Sequence, residues 1–76
     1  IDGLDGSLVP DTGTPVPGGL AYWQAVEVIE ALFSASGAEV IGADVVEIVP
    51  GSDNNLTQFT AAMLATKIIA AHIASL

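Results

Sequence analysis

The chain predicts an α/β fold with a mainly parallel sheet, present as the C-terminal part of a larger domain. Three observations lead there: an acidic, turn-rich opening segment, two stretches of helical periodicity, and one β-branched run between them. A run apolar on both faces suits a parallel sheet covered on both sides. Standing alone, it would leave its backbone N–H and C=O groups without partners. At least one further strand is therefore expected just upstream of Ile1, from an N-terminal remainder of the same protein or from another chain.

The opening segment, residues 1–20, gathers Asp2, Asp5 and Asp11 with five of the chain's eight glycines and three of its four prolines. Proline fixes φ and glycine permits positive φ, so this composition favours an ordered loop of defined shape. Connections in compact domains usually run to about four to six residues, and an ordered loop this long is a candidate for function.

A helix is predicted over residues 21–36. Val26, Ile29 and Phe33 share one face with Ala25, Val28 and Leu32 beside them, while Gln24, Glu27, Glu30 and Ser34 are left to solvent. No Ser, Thr, Asp or Asn stands at its start, so tertiary contacts are expected to hold that end. Gly37 is placed to end it in the left-handed conformation. Tyr22 and Trp23, in the first turn, read as packing residues.

Residues 39–49 are predicted as the strand, stopped by Pro50-Gly51. Ser52, Asp53, Asn54 and Asn55 then offer helix caps, and Asn55 with Gln58 resembles a capping box. A second helix is predicted over residues 56–75. It is apolar nearly all round, through Leu56, Phe59, Met63, Leu64, Ile68, Ile69, Ile73 and many alanines, so it needs cover on more than one side. Its length would span a bilayer, but Lys67 near the centre costs about 2.5–3.5 kcal/mol, whereas each large apolar residue contributes only about 0.3–0.6 kcal/mol. A buried helix of a soluble protein is the reading, with Lys67 extending its charge to water.

Seventy-six residues allow one domain at most, and with no cysteine neither disulfides nor thiolate metal sites can brace it. One lysine, no arginine and nine acids give a formal charge of −8. That balance repels phosphate backbones, so nucleic acid is excluded as a partner, whereas cationic partners fit: a metal ion, an amine or a guanidinium group. No signal-peptide pattern is read, and a cytoplasmic location is expected.

If strands precede Ile1 and run through residues 39–49 in parallel, their carboxyl ends share one rim of the sheet. Parallel sheets bind ligands beyond that rim. Asp2 and Glu47 would then face a common site.

Three blocks of the chain resemble the ureohydrolases, the arginase and agmatinase family: Ile1-Asp2-Gly3-Leu4-Asp5, Thr12-Gly13-Thr14-Pro15-Val16-Pro17-Gly18-Gly19-Leu20 and Gly42-Ala43-Asp44-Val45-Val46-Glu47-Ile48-Val49-Pro50. The resemblance implies a three-layer α/β/α fold, a dinuclear manganese centre (Mn2+) and hydrolysis of a guanidinium group to urea and an amine. It implies Asp2 as a metal ligand, the remaining ligands lying upstream of this chain. Glu47 matches the glutamate that receives the guanidinium, Thr14 a threonine lining the substrate cavity, and Asp5 an aspartate that stands behind the ligands. Two departures are Gly6, where the family usually has proline, which would loosen the loop, and Ala21, in place of a common Ser or Thr cap.

The resemblance also implies an N-terminal remainder as partner, no catalytic activity without it, and a homo-oligomer, trimeric or hexameric. An agmatinase-like substrate is favoured over an arginase-like one, with no membrane partner. Asp44 is expected to be structural, and His72, without a ligand-type partner at helical spacing, a packed or surface histidine. The alternative function is a non-catalytic acidic module that binds cations or a partner; it predicts that the 76 residues fold alone, with no missing strand.

Overall fold

A computed structural model describes residues 1–50 and 54–76. Two helices, α1 (Tyr22–Ser34) and α2 (Leu56–Ser75), pack against each other, and the opening loop closes over one end of the pair. The predicted helices therefore form within two residues of their expected bounds.

Helix α1 starts without a side-chain cap from its N-cap residue. Ala21 is extended, and its N–H donates to Oε1 of Gln24 at 2.9 Å, the backward half of a capping box. One orphan donor is thereby satisfied from within the helix rather than by tertiary contacts. The other end closes as expected: the amides of Ala35 and Ser36 both donate to the Ala31 carbonyl, and Gly37 adopts φ +73°. Ala25 and Val26 are buried and Ile29 is half-buried, but Val28 and Leu32 stay exposed, so the buried stripe is narrower than predicted.

At the start of α2 the capping bond comes from Asn54, one of the four residues offered as caps, and not from Asn55, to which the capping box was assigned. Asn55 makes no side-chain cap bond; the carboxamide oxygen of Asn54 instead accepts from the Leu56 N–H at 2.7 Å. This two-residue reach is ordinary Asx chemistry, which Asn54 satisfies before Asn55 can. The suggested caps Ser52 and Asp53, and the stop at Gly51, lie outside the described residues.

Leu4, Val9, Ala25, Val26 and Leu64 form the core, with Ile1, Leu8, Tyr22 and Ile29 against its edge. Two of these anchors, Leu4 and Val9, belong to the loop. Burying each such leucine or valine is worth about 1.5–3 kcal/mol, which fastens the loop to the helices. A second fastening is polar: the Asp11 N–H donates at 3.0 Å to Oγ1 of Thr57, a fully buried side chain in the first turn of α2.

The predicted strand over residues 39–49 does not form. Among the described residues no strand occurs, and one parallel bridge, Leu4 with Leu20, joins the two ends of the opening loop. Residues 39–49 touch the loop through isolated bonds, from the Ile1 nitrogen to the Val46 carbonyl at 3.1 Å and from the Val49 N–H to the Asp11 carbonyl at 2.8 Å. β-Branched side chains favour extension, but a strand needs a ladder partner, and these residues meet none. Ile41 is 93% exposed, against the expectation of cover on both faces. Cover is also missing from α2. It buries Thr57, Thr60, Ala61 and Leu64 along one stripe and exposes Phe59, Met63, Ile69 and Ile73.

Candidate functional site

The site is built on the opening loop, and Asp5 determines its shape. One carboxylate oxygen, Oδ1, accepts the backbone N–H groups of Gly18 at 2.7 Å and Gly19 at 3.2 Å. The other, Oδ2, accepts from the Ser7 N–H at 3.0 Å and from the Ser7 hydroxyl. Four donors on one ionised group favour the charged form, and the Ser7 hydroxyl, the strongest influence, leads in holding the Asp5 pKa below its ordinary value.

This clip draws residues 1–5 against residues 16–20. The Leu20 N–H donates to the Gly3 carbonyl at 3.0 Å, and the Asp5 N–H to the Leu20 carbonyl at 2.9 Å. Where the two stretches cross, Gly19 sits so close that a Cβ there would lie 2.5 Å from the Leu4 carbonyl carbon. Only glycine fits that crossing. Gly18, with φ +76°, makes the turn that feeds it.

Gly6 corrects an expectation. Its N–H donates to the Val16 carbonyl at 2.6 Å, a bond proline cannot make, so glycine here ties the loop where loosening was expected.

The clip brings two of the predicted residues together: the Thr14 hydroxyl donates to Oδ2 of Asp2 at 3.3 Å. Among the described residues no hydrogen bond joins Glu47 to either of them; the link nearest to it runs from the Ile1 nitrogen to the carbonyl of its neighbour Val46. The Glu47 side chain is exposed and its φ is +75°, in the left-handed region where a residue with a Cβ is strained by roughly 1–2 kcal/mol. Asp5 is the one predicted site residue spent on holding the loop itself.

Asp2, which the resemblance gives to the metal as it gives Glu47 to the substrate, is a hard oxygen donor of the kind that suits manganese. Among the described residues, however, no group of three or more His, Cys, Asp or Glu side chains is arranged to hold a metal. Asp2 fits manganese by the chemistry of its carboxylate, and the described residues complete no ligand set around it.

Sequence reasoning missed Ser7, Gln24 and Thr57. Ser7, two residues after an aspartate, carried the local signal of an Asx or Ser turn. The bond between Thr57 and Asp11 spans 46 positions and leaves no local mark. Lys67 lies with its Nζ 5.8 Å from the centroid of the Trp23 ring, a cation–π contact on the surface, and His72 packs edge-on to Phe33 with centroids 6.2 Å apart. Neither belongs to the loop site.

The described residues thus form a loop clipped by Asp5 and crossed at Gly19, with a second carboxylate, Asp2, against Thr14. The Arginase family profile matches residues 1–71, and the chain belongs to that family. It is similar to an N(1)-aminopropylagmatine ureohydrolase of Thermus thermophilus, 46% identical over 91% of this chain and 21% of the relative. An agmatinase of Pyrococcus horikoshii is 41% identical over 91% of the chain and 24% of its own length. An agmatinase of Chromobacterium violaceum is 46% identical over 97% of the chain and 20% of its own length. The chain thus spans about a fifth of the length of the curated relatives it matches. No solved structure matches it. Family membership implies an arginase-like α/β fold, of which the described residues contribute the two helices and the loop.

Proposed function

We propose that the chain is part of a manganese-dependent ureohydrolase that hydrolyses a guanidinium group to urea and an amine, with an agmatinase-like substrate favoured over arginine. The observation that carries this reading is the closed loop that sets Thr14 against Asp2, beside the segment that bears Glu47. The names of the relatives support the agmatine-type substrate.

Each residue has a part in that reading. Asp2 supplies one carboxylate ligand, and the hydrogen bond from Thr14 orients it while leaving its other oxygen free to bind. Glu47 accepts the planar fork of the guanidinium in paired, charge-assisted hydrogen bonds. The remaining metal ligands come from an N-terminal remainder, without which the chain is inactive. When bound, manganese supplies water acidic enough to act as a nucleophile near neutral pH. Asp5 touches neither metal nor substrate and fixes the loop that presents Asp2 and Thr14. The assembled enzyme is a cytoplasmic homo-oligomer, trimeric or hexameric.

Urea release by the full-length protein with manganese, assayed on agmatine, N(1)-aminopropylagmatine and arginine, tests the reading. Release from the first two, abolished by chelation, is expected; no release from any guanidino compound would overturn it.

A further inference from the structure

We propose that Gly6 and Ser7 are positioning residues that together set where Thr14 stands against Asp2. The proposal rests on the ureohydrolase reading and extends it to two residues that no chemical role has yet absorbed.

Consider first what the pair holds. The Gly6 N–H donates at 2.6 Å to the Val16 carbonyl, two residues from Thr14. A Cβ at position 6 would stand 3.0 Å from that carbonyl oxygen, 3.1 Å from the Val16 nitrogen and 3.3 Å from the Pro15 Cβ. The strip Thr14-Pro15-Val16 therefore lies directly on the Gly6 backbone. The next residue acts on the chain just beyond that strip, at Gly18 and Gly19. Through its hydroxyl and its N–H, Ser7 holds Oδ2 of Asp5, which leaves Oδ1 aimed at Gly18 and Gly19. With Oδ2 released, the carboxylate can rotate about χ2, and the glycine amides lose their fixed acceptor.

The consequence reaches the site by a short path. Thr14 contacts Asp2 at 3.3 Å, a long hydrogen bond that a few tenths of an ångström would break. Proline is the residue expected at position 6 from the resemblance, and it would stiffen the loop through its ring. Here the same stiffness comes from two hydrogen-bond sets on adjacent residues, one on Val16 and one on Asp5. The pair acts through Thr14 and Asp2 and never meets the reacting atoms.

The test uses the full-length enzyme with Ser7→Ala, Ser7→Thr and Gly6→Ala variants, reading kcat, KM and Tm. Thr14 belongs to substrate binding, so Ser7→Ala and Gly6→Ala are each expected to raise KM by about tenfold with kcat changed far less, since small misplacements of a positioning group are costly. Ser7→Thr keeps the hydroxyl and is expected to restore KM. Ser7→Ala and Gly6→Ala are expected to lower Tm by a few degrees and Ser7→Thr less, so KM is read well below the lowest Tm, where all three are folded. Wild-type KM in both Ser7→Ala and Gly6→Ala, a loss that follows only the fall in Tm, or no rescue by Ser7→Thr would overturn the proposal. If the unmodified enzyme releases urea, those outcomes sink this inference alone; if it releases none, the function reading falls and takes the inference with it.

Discussion

At the scale of single residues, Asp5 links sequence to site most directly. Its carboxylate accepts four hydrogen bonds from Ser7, Gly18 and Gly19, which lowers its pKa. A depressed folded-state pKa means that the clip's contribution is fully present above the ordinary aspartate value of about 3.9 and is lost as the pH falls through the lower folded value. In an acid titration, the amide resonances of Gly18 and Gly19 are expected to hold constant down to about pH 4 and to shift only below it. Movement beginning well above that pH would contradict the clip. Thr57 makes the second residue-scale case. Thr57→Val keeps the shape but removes the hydroxyl that accepts from the Asp11 N–H, and is expected to cost about 0.5–1.5 kcal/mol in denaturant unfolding. That Asp5 belongs to an ordered acidic loop was legible from the glycines and prolines around it; its four hydrogen bonds were not. The role of Thr57 was not, because its partner lies 46 positions away and threonine in a helix has many bland explanations.

At the scale of elements, the loop behaves as a folded unit and the β-branched run does not. The loop is closed by its own bonds: Asp5 to Gly18 and Gly19, Gly6 to Val16, and the bridge between Leu4 and Leu20. Such self-packed loops with adjacent ends are often functional. Its closure depends on the absence of a side chain at the crossing, so Gly19→Ala is expected to prevent it. In circular dichroism and proteolysis of the full-length protein, the variant should show a lowered Tm and cleavage within residues 6–18; wild-type resistance would show that the crossing can give way. Both helices were legible because apolar spacing and the left-handed Gly37 are local signals. The strand does not form among the described residues for the complementary reason. Residues such as Val45, Val46, Ile48 and Val49 declare a preference for extension, but whether a strand forms depends on a neighbour that the described residues do not supply. Glu47, at φ +75°, interrupts the extended path as well.

At the scale of the whole molecule, what the two helices and loop leave uncovered is as informative as what they bury. Trp23, Phe59, Ile69 and Ile73 are each at least 60% exposed, and α2 is apolar on faces that meet only solvent. An independent acidic module would be expected to cover such residues, so their exposure favours the reading in which an N-terminal remainder packs over them. Family membership and the span of about a fifth of the relatives' length agree with it. The central claim is that the opening loop delivers Asp2 to a manganese site completed by that remainder. Manganese binding by the full-length protein, measured by the electron paramagnetic resonance of the free ion for wild type and for Asp2→Asn, tests it most directly. Tight binding of a pair of ions by the wild type, and its loss in the variant, are expected. A wild type that binds no manganese, or a variant that binds it with unaltered affinity, would contradict that claim.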